Sequence, residues 1–168
     1  MTGPVVSNTT PLSTLARVDC LEWIPKRWGR IMIPSAVWKE LEFLRDAAAL
    51  ERLRRAEWAG WIERVKLAHP GRVAEFLSRL DEGESETLVL ANELNASLVW
   101  IDEAAGRAIA IEQGLKVTGT VGMAKWAWQQ GLIPAVRPML ERLRDVGGLY
   151  LSDAFIRQVT ADCGEKWE

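Results

Sequence analysis

The acidic residues of this chain are informative for where they fall, not for how many there are. Asp102 directly follows the apolar run 97–101 (SLVWI), so its carboxylate is aimed beyond the end of a buried strand. An Asp in that place also caps helices well, and a cap is the competing use. Residues 81–86 (DEGESE) put four acids into six positions ahead of TLVLANEL, where a helix dipole favours negative charge. At about 100° per residue, Glu84 shares a face with Leu88 and Ala91, whereas Glu86 lies with Glu93 on the other side. The wheel predicts an inward Glu84 and a solvated Glu86. In AVWKELEFL, Glu40 falls about 40° from Leu44 and about 60° from Val37, while Glu42 falls on the far side. Inward acids on separate elements are costly to bury together unless a cation or a proton separates them. Their convergence implies a divalent metal site with oxygen ligands, suited to magnesium or manganese; two isolated, partly exposed acids are the alternative.

The elements that must position these acids follow from the hydropathy pattern. Short apolar runs alternate with longer amphipathic segments, as expected of parallel strands joined by helices. Four strands are predicted: residues 4–7 (PVVS), 30–33 (RIMI), 97–101 (SLVWI) and 115–118 (LKVT). Each precedes a turn or helix-start signal, which gathers the loops at one edge of a sheet, where open α/β sheets bind ligands. Residues 44–80 are Arg-rich and helical in pattern, broken at 61–66 and at His69-Pro70-Gly71, and read as a helical arm inserted within a single domain over 1–168. A helix near 135–144, a Gly147-Gly148 break and a last helix capped by Ser152 complete the chain.

Composition removes several function classes. With 168 residues, 48% of them hydrophobic, one core burying about 70% of the unfolded surface is expected. A balance of 21 Lys and Arg against 23 Asp and Glu excludes a protein that coats nucleic acid through bulk charge, so any such contact is local. No run is long enough for a membrane span and no secretory signal is evident, so a cytoplasmic location is expected. Cys20 and Cys163, far apart and without a CxxC partner, make no disulfide framework or Cys-rich zinc site. His69, the single histidine, sits in an HPG turn and is a poor triad member. Residues 119–125 (GTVGMAK) lack phosphate-loop spacing and read as a strand-to-helix turn whose N–H groups could at most touch a phosphate. Nine tryptophans are many for this length. Trp126 and Trp128 cannot share a helix face, so part of the surplus, Trp28 included, is expected in a subunit or partner interface. Lys26-Arg27-Trp28 suits either RNA stacking or a solvated loop with a packed Trp.

The segments VVSNTTPLSTLARVDCLEWI, IPSAVWKEL, LDEGESETLVLANEL, LVWIDEAAGRAIAIEQGLKVTGTVG and AKWAWQQGLI, in this order and spacing, resemble the PIN-domain family, in its branch related to bacterial and archaeal toxin nucleases. The resemblance implies a single α/β PIN-like domain, with a central parallel sheet flanked by helices, and a magnesium- or manganese-dependent endoribonuclease acting on single-stranded RNA. It further implies the toxin half of a toxin–antitoxin pair, with a cognate antitoxin as partner, and a homodimer. Carried over by motif, the catalytic positions fall on Asn8, Glu40, Glu84 and Asp102; Glu40, Glu84, Asp102 and Glu103 would hold metal. Thr10 takes the hydroxyl position beside Asn8, and Arg107 is placed to contact phosphate. Asn8 departs from the family's first acid, because an amide is a neutral ligand. The departure raises the alternative of a weak or inactive RNA- or protein-binding module.

Overall fold

A computed structural model of the chain describes residues 3–165. Among these residues, five short strands form one parallel sheet: β1 (Val5–Ser7), β2 (Ile31–Ile33), β3 (Ile62–Arg64), β4 (Leu98–Trp100) and β5 (Val117–Thr118), in the order β3-β2-β1-β4-β5. Val6 lies opposite Met32 on one side and Val99 on the other, and Trp100 opposite Thr118. Helices α1 (Thr9–Arg17) and α2 (Trp23–Trp28) connect β1 to β2; α3 (Ser35–Glu42) and α4 (Ala47–Trp58) connect β2 to β3. A 3-10 segment (Pro70–Glu75) and α5 (Glu82–Glu93) lead to β4, α6 (Ala104–Glu112) to β5, and α7 (Thr120–Gln129), α8 (Val136–Asp145) and α9 (Asp153–Asp162) follow.

The alternation of side chains along each strand divides the core between two faces. Val5, Ile31, Ile33, Ile62 and Trp100 pack with apolar residues of α1–α4 and α7–α9, such as Leu12, Ile24, Leu53 and Leu140. Val6, Val99 and Ile101 pack on the opposite face against Leu88 and Leu90 of α5, Ile109 of α6 and Phe76. Strands buried on both faces read as continuous apolar runs, which is why β1, β2 and β4 stand out in the sequence; the two residues of β5, at the sheet edge, are only half-buried.

The strand that the sequence pattern passes over is β3, inside the break at 61–66. Only Ile62 of its three residues is buried, so no apolar run announces it. Charged contacts hold this edge: Arg64 pairs with Glu57 at 2.6 Å and lies 4.8 Å from the centre of the Trp38 ring, and Glu63 meets Arg30 at 3.1 Å. Charged side chains on an edge strand also discourage pairing with another chain.

The core also absorbs most of the tryptophan surplus, while the interface candidates Trp28, Trp126 and Trp128 are each only partly buried. Trp23, Trp38 and Trp100 are buried, and Trp28, Trp61, Trp126 and Trp128 lean on the same cluster. Trp28 meets Trp100 edge-on at 5.3 Å, and the Arg27 guanidinium lies 4.8 Å from Trp28 and 5.4 Å from Trp126, fastening α2 to α7. Residues 26–28 are therefore helical, with Lys26 exposed and Trp28 half-buried, its ring packed edge-on against Trp100. Trp58, at 93% exposure, is the one that faces solvent among the described residues; Trp167 lies outside them.

If β3 is integral to the sheet, Ile62→Ala costs about 2–5 kcal/mol, the range for a truncated core aliphatic. A mere helix break at this position would lose less than about 0.5 kcal/mol. Urea denaturation of the two proteins measures the difference.

Candidate active site

Strand order reverses at β1, which sits between β2 and β4, and ligands of open parallel sheets bind beyond the carboxyl ends of the strands at such a point. Asn8 leaves β1 there and Asp102 leaves β4 two residues after Trp100. Asn8 is buried at 3% exposure. Its backbone N–H donates to the Trp100 carbonyl at 2.9 Å and its side-chain Nδ2 to Glu103 Oε2 at 3.2 Å. The Thr10 hydroxyl donates to the other oxygen, Oε1, at 2.5 Å. Glu103 is thus held by two neutral donors from the β1–α1 turn.

Asp102 does not cap the helix that follows it; Glu103 occupies the N-cap position of α6. Its carboxylate instead crosses to α7, where Oδ1 accepts from the Thr120 backbone N–H and Oδ2 from the Thr120 hydroxyl, both at 2.7 Å. One of the N–H groups that the turn at 119–125 could have offered to a phosphate, that of Thr120, is spent on Asp102. Burial is the main reason the Asp102 carboxyl sits above its ordinary pKa, with Glu103 adding repulsion, while the Thr120 bonds and nearby Arg107 pull it back. Arg107 anchors itself by donating from Nη1 to the Ile101 carbonyl at 3.1 Å.

The remaining acids come from α3 and α5. Asp81 caps α5 and accepts the backbone N–H of Glu84 at 2.8 Å, which fixes the first turn from which Glu84 projects. Burial first, then the charges of Asp81, Glu103 and Glu40, push the Glu84 carboxyl up to about 7. Glu40 is exposed as a residue, yet its carboxylate lies against Gly83, where any Cβ would overlap Oε1. Its pKa is also raised, chiefly by burial of the carboxyl, with the charges of Asp81, Glu103 and Glu82 adding to the effect. The buried Thr9 hydroxyl opposes that shift, although it makes no formed hydrogen bond.

Glu86 departs from the solvated position expected of it. It is half-buried and accepts the Ala36 N–H at the start of α3, 3.1 Å away. The wheel placed it away from Glu84 correctly, but that other side faces α3 rather than water.

Glu40, Glu84 and Glu103 therefore act on one another electrostatically, and Asp102 joins them through Glu103. Among the described residues, no three acid, histidine or cysteine side chains stand close enough to enclose a metal ion as placed. The side chains missed by the sequence reading are those that arrange the acids: Thr9, Asp81, Gly83 and Thr120. Gly83 carried a usable signal, since glycine inside a helix costs about 1 kcal/mol and its presence flags a close approach. Asp81 carried another, an N-cap three residues before an acid. Thr120 carried none, because its partner lies across a strand connection.

Fold and crevice together define a parallel α/β domain whose acidic site occupies the switch point of its sheet. The chain belongs to the PIN-domain family, whose model matches residues 4–165. No curated protein matches it at a significant level. PIN domains are generally divalent-metal-dependent nucleases.

The raised Glu84 pKa gives stability a definite pH dependence. Between the ordinary carboxyl value of 4.5 and about 7 the folded state binds more protons than the unfolded one, so stability falls as pH rises through that window. Glu40 and Asp102, raised as well, slope the same way. Without metal, the urea midpoint should fall from pH 4.5 to pH 7, and Glu84→Gln should make that fall shallower and leave the variant more stable than the parent at the upper end. Equal slopes in the two proteins contradict the assignment.

Proposed function

We propose that the protein is a divalent-metal-dependent endoribonuclease that hydrolyses phosphodiesters in single-stranded RNA. The observation that carries this reading is the gathering of carboxylates from α3, α5 and the β4–α6 turn at the switch point, where burial first and then the neighbouring charges push the Glu84 carboxyl up to about 7. The donor set fits magnesium or manganese: hard, acidic oxygens whose repulsion a cation relieves. Glu40, Glu84, Asp102 and Glu103 would hold the ion. When bound, such an ion supplies a water of lowered pKa and offsets charge on the phosphodiester as it is attacked.

The protein's own groups do the positioning. Thr120 fixes the Asp102 carboxylate and Asp81 fixes the backbone under Glu84. Asn8 and Thr10 hold Glu103, which assigns Thr10 to the acid rather than to substrate in the absence of RNA. Arg107, with one nitrogen on Ile101, retains other donors for a phosphate beside Asp102. The toxin role, the cognate antitoxin, the homodimer and the cytoplasmic setting complete the reading and rest on the family resemblance. Among the described residues no helix is long and apolar enough to cross a membrane.

A second reading, a weak or inactive RNA- or protein-binding module, has two observations in its favour. Asn8 contributes no charge, and both oxygens of Asp102 already have partners.

One experiment separates the two. Asn8→Asp restores a charge but removes the donor to Glu103, so it should tighten manganese binding by about tenfold while lowering stability in metal-free buffer at pH 8. Asp102→Asn should weaken binding by about tenfold or more. Calorimetry with manganese, run beside cleavage of a mixed single-stranded RNA pool, reads both effects. Manganese-independent behaviour of all three proteins, with no cleavage, favours the binding module; cleavage unchanged in Asp102→Asn indicates a contaminating nuclease.

A further inference from the structure

A groove of about 570 Å³ opens beside Asp102 and runs between the β5–α7 turn and the start of α9. Arg107 and Lys125 supply positive charge along it, and Tyr150 and Phe155 supply aromatic surface. Its one acid, Asp102, is mostly buried and accepts two hydrogen bonds. Tyr150, the chain's single tyrosine, is 92% exposed, while its neighbours Leu149 and Leu151 are both buried at 9%. Gly148, at φ +78, turns the chain away from α8, and Ser152 caps α9 by accepting the Phe155 N–H at 3.0 Å. The segment between them is thus pinned at both ends and by two leucines, with one aromatic ring held outward. Nothing in the core uses that ring.

We propose that this groove is the track of the RNA strand, with Tyr150 as a stacking platform for an unpaired base next to the phosphate at the acidic crevice. The substrate class rests on the nuclease reading, and the groove deepens it: aromatic faces accept bases that are free to splay out, which a duplex does not offer. Cations spaced along the wall match a phosphate backbone, whereas an acidic or apolar peptide would leave one of the two features without a partner. The ring is held by anchored backbone, so little ordering entropy is lost when a base stacks on it.

The test uses the full chain and an unstructured fluorescent RNA decamer, with binding read by anisotropy in EDTA. Tyr150→Ala should weaken binding about tenfold and Tyr150→Phe should retain it, since stacking needs the ring and not the hydroxyl. Lys125→Ala should weaken binding and lower its salt dependence. A decamer with abasic sites should bind the parent more weakly but Tyr150→Ala no more weakly than the intact decamer does, and a hairpin of equal length should bind the parent poorly. Tyr150 is fully at the surface, so its replacement leaves the fold intact, which circular dichroism verifies. Equal affinity of parent and Tyr150→Ala overturns the proposal, as does an abasic penalty that is the same in both. With manganese, Tyr150→Ala should raise KM and keep kcat, whereas Glu84→Gln should remove kcat. Cleavage by the parent with KM unmoved in Tyr150→Ala overturns the stacking site and leaves the nuclease reading standing. Tyr150-dependent binding without cleavage supports the site and overturns the nuclease reading; absence of RNA binding overturns both.

Discussion

Repulsion among carboxylates at one sheet edge is the constraint to which the rest of the site responds. Glu40, Glu84 and Glu103 lie on three different elements and each raises the free energy of another's charge. Such an arrangement persists only if rigid backbone imposes it and neutral donors soften it. Both conditions are met. The strands and helices bearing the acids are fixed by two apolar layers, and Asn8, Thr9, Thr10 and Thr120 stand where they favour the charged oxygens.

Helix starts supply the second source of relief. Glu86 accepts from the start of α3, Asp81 from the first turn of α5, and Asp102 from the first residue of α7. Each carboxylate satisfies an otherwise unpaired N–H and sits in the favourable end of a helix dipole. The crevice therefore concentrates negative charge at little cost to its framework. The opposition between a capping acid and a functional acid, which the sequence leaves open for Asp102, dissolves: that residue stabilises α7 and borders the crevice with the same two oxygens. Gly83 completes the arrangement by letting the Glu40 carboxylate approach the backbone of α5.

What could be read from the sequence follows the range of the interactions involved. The α/β class and strands β1, β2 and β4 were legible because burial on both faces writes an apolar run of several residues, and β5, a half-buried edge strand, because a helix-start signal follows it. β3 was not, because an edge strand with one buried side chain leaves no run to see. Helical wheels gave the inward direction of Glu84 and separated it from Glu86, since both depend on local geometry. They could not say that the far side of α5 faces α3, nor that Asp102 would reach Thr120, because those facts belong to packing between distant segments. For the tryptophans, composition shows only that large rings must go somewhere, and the packing shows that a core lined by α2 and α7 takes in part of each of Trp28, Trp126 and Trp128.

Asn8 is where these threads meet. A carboxylate at this position would stand against Glu103 with nothing to donate, adding a fifth acid to Glu40, Glu84, Asp102 and Glu103 at a buried corner of the crevice. The amide reverses the sign of that contact and, with Thr10, supports both oxygens of Glu103, as Thr120 supports both of Asp102. The partners of Glu103 lower the energy of the metal-free state, so a cation that recruits Glu103 must compete with two hydrogen bonds as well as gain from one fewer charge. Asn8 thus stabilises the crevice in its metal-free state. At Glu84, burial first and then the charges of Asp81, Glu103 and Glu40 push the carboxyl up to about 7. Protonation of Glu84 near neutral pH therefore lowers the repulsion among these acids, and its ionisation restores that repulsion.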